Sequence, residues 1–292
     1  MIIGADSRDL VINNIREYAE RGMFHNKVEI NDPVLSEEEN KEITDNYLNS
    51  RNTASFKVKT FFATLLQQLA THMINRNTKI IGLDKIPKDL GGVIITSNHF
   101  SPLENTVIKH LCNILKTKLS IISQSTNFKM TGSIGFLMNY ANTIPITTDS
   151  RYLAKGFYGV LKEKLVEKGE AVLLYPEQEM WFNYRKPRPP KKGAYFFAAK
   201  LNVPIISCFV EMVDMDKDDN SEFKRVQYVL HILDVLYPDK EKSVKENSDY
   251  LAERDYELKK ECYENSYNKK LTYMFDSSDI AGWKVNGENN IL

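Results

Sequence analysis

Hydrophobic and polar positions follow two rhythms along this chain, and the switches between them mark out its elements. The first rhythm is helical. Over residues 9–21 the apolar side chains Leu10, Ile12, Ile15 and Ala19 recur roughly on one face. Ser36-Glu37-Glu38-Glu39 has the form of a capping box and opens a second helix running to about residue 48. The strongest signal spans residues 54–76, where Val58, Phe61, Phe62, Leu65, Leu66, Leu69 and Met73 recur at spacings of three and four. Lys57, Lys59, Gln67, Gln68 and Arg76 fall on its other faces. Such a stripe either covers a core or lies on a bilayer surface, and core packing is the commoner use.

From Thr78 the rhythm changes. Short apolar runs at residues 79–82, 93–96, 119–123, 143–146, 171–174 and 204–210 predict strands. Helical patterns at 105–115, 152–168 and 195–201 fall between them, and residues 135–140 form a short apolar stretch. Strands alternating with helices predict an α/β fold with a mixed, largely parallel sheet flanked by helices. Residues 226–233 add a strand, placed at an edge. After Pro238 the composition shifts. Residues 240–270 are dense in charge, with a partial stripe of Leu251, Leu258, Cys262 and Tyr263, and read as a solvated helix packed on the domain. The tail at 279–283 is expected to dock back through Trp283. The chain thus divides into an N-terminal helical segment (1–77, including the amphipathic helix 54–76), an α/β domain (78–238) and a charged helical extension (239–292).

Composition narrows the functional classes. The 292 residues, 42% hydrophobic, suffice for one large core or a core domain with appendages. Lys+Arg and Asp+Glu number 39 each, so no global field draws in nucleic acid and any binding patch is local. The one local cluster is Arg185-Lys186-Pro187-Arg188-Pro189-Pro190-Lys191-Lys192. Three cysteines, Cys112, Cys208 and Cys262, are odd in number and far apart, which fits a reducing cytoplasm rather than a disulfide framework or a zinc site. Cys208 lies in an apolar strand and reads as a packed thiol. The histidines are scattered, so neither a metal nor a resident cofactor is expected. Met1-Ile2-Ile3-Gly4-Ala5-Asp6 lacks the basic and apolar regions of a secretory signal, and no stretch approaches about 18 uncharged apolar residues. A lipid substrate would therefore be met from one side of a membrane.

The candidate chemistry sits where strands end. Gly91-Gly92-Val93-Ile94-Ile95-Thr96 runs into Ser97-Asn98-His99-Phe100-Ser101-Pro102-Leu103-Glu104. This puts a histidine and a carboxylate at a strand-to-helix turn, on the edge of an open α/β sheet that binds ligands. A second apolar run leads into Tyr175-Pro176-Glu177-Gln178-Glu179-Met180-Trp181, again rich in carboxylates. A third block follows as Lys192-Gly193-Ala194, an alanine-rich helix and Val203-Pro204-Ile205-Ile206-Ser207.

Taken in order, these blocks over residues 78–213 resemble the glycerolipid acyltransferases of the lysophosphatidic acid (1-acylglycerol-3-phosphate) acyltransferase type. That family carries Asn-His-x-Ser-x-x-Asp, Phe-Pro-Glu-Gly-Thr-Arg and Val-Pro-Ile-x-Pro blocks. The resemblance implies transfer of a fatty acyl group from a thioester, on coenzyme A or a carrier protein, to the hydroxyl of a lysophospholipid-like acceptor. His99 would be the general base and Glu104 its orienting acid, with no cofactor. Asn98 and Ser101 would shape the turn, with Asn98 also open to ligand, and backbone N–H groups of the turn would face the oxyanion. Glu177 would bind acceptor hydroxyls, with Gln178 and Glu179 adding polar groups nearby. The protein would work in the cytoplasm, at the inner face of the membrane.

Two departures stand out. Glu104 is one methylene longer than the family's aspartate. Gln178-Glu179-Met180 replaces Gly-Thr-Arg, so the arginine expected to hold the acceptor's phosphate is absent. Arg185, Lys186 and Arg188 could clamp a phosphate in its place, or form a solvated basic loop, or meet anionic headgroups. Arg151, after the strand at 143–146, could stand for a second arginine that the family has near that strand, although its register is off. Gly132 fits the family's middle block, where it reads otherwise as a loop signal, and Lys129 and Trp181 are further pocket candidates whose ordinary uses are surface and core. The departures leave open a catalytically impaired lipid- or thioester-binding protein on the same scaffold, or a thioester hydrolase.

Overall fold

The computed structural model describes residues 8–30 and 34–284. The reading of Met1–Asp6 as signal-free lies outside them. Seven strands form one sheet in the order β1-β7-β6-β2-β5-β3-β4. They are β1 (Lys79–Ile81), β2 (Val93–Thr96), β3 (Leu119–Gln124), β4 (Thr143–Ile146), β5 (Ala171–Leu174), β6 (Ile205–Asp218) and β7 (Lys224–Leu236). Every pairing is parallel except β6 with β7, giving the mixed, largely parallel sheet expected. β2 and β5 lie at its centre in the register Ile94↔Val172 and Thr96↔Leu174, and every residue of both is buried. Their unbroken apolar runs suit strands covered on both faces.

Alternation along β2 sends Ile94 and Ile95 to opposite layers. Ile94 joins Val172 and Ile205 beneath α6 and α7 (Gly193–Leu201). The α6 helix has a regular centre at Tyr158–Lys162, flanked by wider π-type turns at Tyr152–Phe157 and Glu163–Glu167. Ile95 joins Leu173 and Ile206 against Val107, Ile108 and Leu111 of α4 (Asn105–Ile114). Gly92 leads into β2 where a Cβ would come within 1.8 Å of the Leu165 carbonyl oxygen, so only glycine lets the chain pass under the end of α6.

A third core lies apart from these layers. Val11, Ile12, Ile15 and Ala19 of α1 (Arg8–Glu20) pack on Trp181, Phe182, Tyr184, Phe223 and Ile280. The two ends of the described chain thereby close over the segment that follows β5. Trp283 docks as expected, bridging to Phe223.

Several elements depart from the sequence reading. α5 (Gly132–Tyr140) makes a helix of the short apolar stretch. β7 is an interior strand, because β1 covers its outer side in parallel. The β6–β7 hairpin is longer than the apolar pattern, since residues 213–218 continue it as an exposed polar arm held by strand pairing. The charged helix α8 (Val244–Tyr267) is more than a solvated cover, for Leu251, Ala252 and Leu258 belong to the main core. Its Asp255 is fully buried and accepts bonds from Thr96 Oγ1 (3.0 Å), Tyr195 Oη (2.5 Å) and Lys259 Nζ (2.7 Å). This pins α8 to the last residue of β2.

The largest departure is α3 (Ala54–Asn75), which follows α2 (Glu37–Ser50) and its capping box. Ala63, Gln67, Thr71 and Asn75 form its buried face, and Asn75 Nδ2 donates to Thr106 Oγ1 of α4 at 2.8 Å. The apolar stripe faces outward instead, with Phe61 65% and Met73 75% exposed. The core-packing reading of this stripe is thus reversed.

Candidate active site

The turn after β2 is fixed before it presents any chemistry. Asn98 imitates a strand residue with its side chain. Its Nδ2 donates to the Val210 carbonyl (3.0 Å), and its Oδ1 accepts from Val210 N–H (2.8 Å) and Ser97 Oγ (3.2 Å). Buried and bonded on both sides, Asn98 fastens the turn to β6, which is the shaping role and not the ligand role. Ser101 accepts the Leu103 N–H through Oγ at 3.3 Å and tightens the same turn.

Glu104 curls back from the start of α4. One carboxylate oxygen contacts His99 Nδ1, and the other accepts the N–H groups of Phe100 and Ser101, the latter at 2.8 Å. The longer side chain of glutamate reaches the turn's own amides. Those two N–H groups are therefore spent on Glu104 and do not face an oxyanion, correcting that expectation. The Glu104 side chain is 3% exposed and that of His99 is 22% exposed. With Nδ1 engaged, Nε2 is the ring nitrogen left for substrate. Tyr175 lies flat against the imidazole, with ring centroids 4.2 Å apart and planes 8° from parallel.

The segment after β5 behaves differently. Glu177 is buried and saturated. It accepts His99 N–H (3.2 Å), Arg188 N–H (3.0 Å) and Arg188 Nε–H (3.1 Å). It is a brace behind the turn, not an open ligand for acceptor hydroxyls. Arg188 is fully buried over the Trp181 ring, with further bonds to the carbonyls of Phe24 (2.8 Å), His99 (3.3 Å) and Glu179. Burial pulls the pKa of its guanidinium down, and the Glu177 charge opposes that pull. Lys186 pairs with Asp279 at 2.7 Å in a contact 4% and 2% exposed. Arg185 pairs with Asp214 and donates to the Ser278 carbonyl at 2.6 Å. The cluster is therefore neither a solvated loop nor an open phosphate clamp. Arg185, Lys186 and Arg188 point inward, met by Asp214, Asp279 and Glu177 and by carbonyls of the N- and C-terminal segments, whereas Lys191 and Lys192 stay exposed.

At the rim, Gln178 is exposed, and Glu179 accepts from Gln124 Nε2 at 2.9 Å. Gln178 stands where the resembled block has glycine and takes a φ of 67°, the left-handed conformation glycine adopts without strain. Arg151 follows β4, three strands from β2, or about 14 Å across the sheet at the usual strand spacing. Its side chain is exposed on the same edge of the sheet and does not join His99.

Sequence reasoning missed two groups. Tyr175 carried a weak signal as an aromatic residue where β5 meets the acidic loop. The other group is the Phe24-His25-Asn26 segment, which has no periodicity to betray it. Its carbonyls take bonds from Arg188 and from Trp181 Nε1 (3.0 Å), and His25 Nδ1 lies 3.4 Å from the Glu177 carbonyl. Burial lowers the pKa of His25, helped by the neighbouring Lys191 and Arg188 charges. Among the described residues no cluster of metal-binding side chains occurs, and no helix is long and apolar enough to cross a membrane.

Comparison with known proteins bears on the domain and the fold. A search of curated proteins finds no significant match. Residues 77–211 match the family model described as Acyltransferase. Among solved structures, the fold is similar to the crystal structure of the 1-acyl-sn-glycerophosphate (LPA) acyltransferase PlsC from Thermotoga maritima. The match has a TM-score of 0.50 and 16% identity, covering 80% of this chain and 95% of that one. Over residues 77–211 the chain thus matches the Acyltransferase family model, with the histidine turn inside the matched stretch and a fold similar to that of PlsC around it.

Proposed function

We propose that this protein transfers a fatty acyl group from an acyl thioester, on coenzyme A or a carrier protein, to the hydroxyl of 1-acylglycerol-3-phosphate or a related lysophospholipid-like acceptor. The observation that carries the reading is the His99–Glu104 pair, with Nδ1 held by a buried carboxylate and Nε2 free at the sheet edge. The acceptor O–H attacks the thioester carbonyl carbon as Nε2 takes its proton. A new C–O bond forms, and the carbonyl becomes a tetrahedral oxyanion. Glu104 stabilises the imidazolium created in this step and fixes its tautomer. The oxyanion collapses, the C–S bond breaks, and the imidazolium returns its proton to the departing thiolate. No side-chain nucleophile is needed, because the acceptor itself attacks.

The outward stripe of α3 suits a protein that meets its lipid substrates from one side, at the inner face of the cytoplasmic membrane. Val58, Phe61, Phe62, Leu65, Leu66, Leu69 and Met73 form one exposed apolar face, too large for an ordinary solvated surface. Serine at both Phe61 and Phe62 is expected to abolish co-sedimentation with phospholipid vesicles while leaving the melting temperature unchanged. Undiminished vesicle binding would refute this role.

The reaction is tested by mass spectrometry of products from mixed acyl thioesters and a panel of lysolipids, with His99→Ala alongside. A new ester made only by the wild-type protein is expected. Ester formation that survives His99→Ala would overturn the mechanism. A folded wild-type protein that binds lipid yet makes no ester would favour the binding-protein alternative.

A further inference from the structure

One buried group beside the dyad has no part in the steps above. Tyr175 follows β5 with its ring stacked on His99, and its buried hydroxyl, which the Glu104 carboxylate influences, makes no well-formed hydrogen bond. A buried phenol without a partner is costly unless the site uses it. The stack itself needs only a ring, and the block this segment resembles supplies a phenylalanine there, so the oxygen calls for a separate reason. The charge that this hydroxyl feels is Glu104. Burial and then the Glu104 carboxylate push the phenol pKa well up, so the group stays protonated and can donate. Glu104 has room for it. One of its oxygens meets His99 Nδ1 and the other accepts two backbone N–H groups, whereas a carboxylate offers about four lone-pair positions.

We propose that Tyr175 is a positioning residue of the dyad, holding the plane of the His99 ring by stacking and aiming its O–H at the Glu104 carboxylate. This rests on the acyl-transfer reading given above. The ring sets the direction of Nε2, and its π face supports the imidazolium formed as the acceptor is deprotonated. The hydroxyl shares the Glu104 charge with His99, so the carboxylate does not hold the imidazole too strongly in its protonated form. The other charged or titratable groups around His99 act through its backbone or from behind it. Glu177 and Arg188 bond its main chain, His25 and Lys191 lie beyond Glu177, and the Arg188 charge and the Tyr228 phenol, which bonds Ser101, also act on Glu104.

Tyr175→Phe isolates the hydroxyl, since it preserves the ring and its packing. At a pH on the acid limb its kcat should fall up to about tenfold, because more of His99 is then protonated and unable to take the acceptor's proton. KM for thioester and acceptor should stay unchanged, because Tyr175 is not assigned to the substrate. Losing the donor leaves Glu104 freer to stabilise imidazolium, so the acid limb of the pH–rate profile should move to higher pH. Tyr175→Leu, which also loses the stack, should fall further in kcat. Wild-type kcat in Tyr175→Phe, or a lowered kcat with an unmoved acid limb, would overturn the proposal. The His99→Ala control separates the two levels. If it is inactive and Tyr175→Phe behaves as wild type, only the role of Tyr175 fails. If His99→Ala still transfers, the underlying mechanism fails and takes this role with it.

Discussion

Two segments leave the same edge of the sheet from neighbouring strands, and they use charge in opposite ways. After β2, a single imidazole is held by one buried carboxylate and keeps a ring nitrogen open. After β5, three cations and their carboxylates are consumed in internal pairs, Arg185–Asp214, Lys186–Asp279 and Arg188–Glu177. The β2 turn is tied down by backbone and by Asn98, which leaves its one chemical group free. The β5 segment is tied down by its charges, which leaves none of these three free. A cluster of charge at a ligand-binding edge is thus no guide to function until its partners are known. Here the brace sits directly behind the turn, for Glu177 and Arg188 both bond the His99 main chain.

If the β5 segment is scaffold, breaking one of its pairs should unfold the protein before it alters chemistry. Arg188→Met leaves Glu177 buried without its cation. It should cost about 3–5 kcal/mol of stability, measured by urea denaturation. A variant of wild-type stability with weakened acceptor binding would restore Arg188 as a ligand and collapse the contrast. A smaller test concerns the rim. Gln178 holds a left-handed φ of 67° that an L-residue adopts at a cost. Gln178→Gly should therefore raise stability by at most about 1 kcal/mol, the gain being offset in part by greater freedom of the unfolded chain. A loss of stability would mean that the exposed side chain contributes more than its backbone costs.

Much of this molecule was legible from residue pattern alone, and the exceptions share a cause. β2 and β5 read correctly because central parallel strands are apolar on both faces, so Val93–Thr96 and Ala171–Leu174 need no context. The Ser36 capping box closes within four residues and was equally plain. His99 and Glu104 lie five residues apart on one turn, so local geometry brings them together. What stayed hidden depends on distant partners. The burial of Arg188 is decided by Phe24 and Glu177, and that of Lys186 by Asp279. The interior place of β7 is decided by three residues of β1. For α3, periodicity showed that an apolar face exists and could not show which way it points. The Ala63-Gln67-Thr71-Asn75 face packs on α4 through small and polar groups, which a hydrophobic stripe cannot reveal.

The central claim is that His99 performs the chemistry while the charged loop behind it holds the structure. The most direct test measures the rate of ester formation per folded molecule for His99→Ala, with its thermal melt recorded on the same sample. The account predicts a wild-type melt and a rate lowered by at least about 100-fold, the usual scale of a general base. A wild-type melt with the rate retained would contradict it, and would move the reaction away from the turn that follows β2.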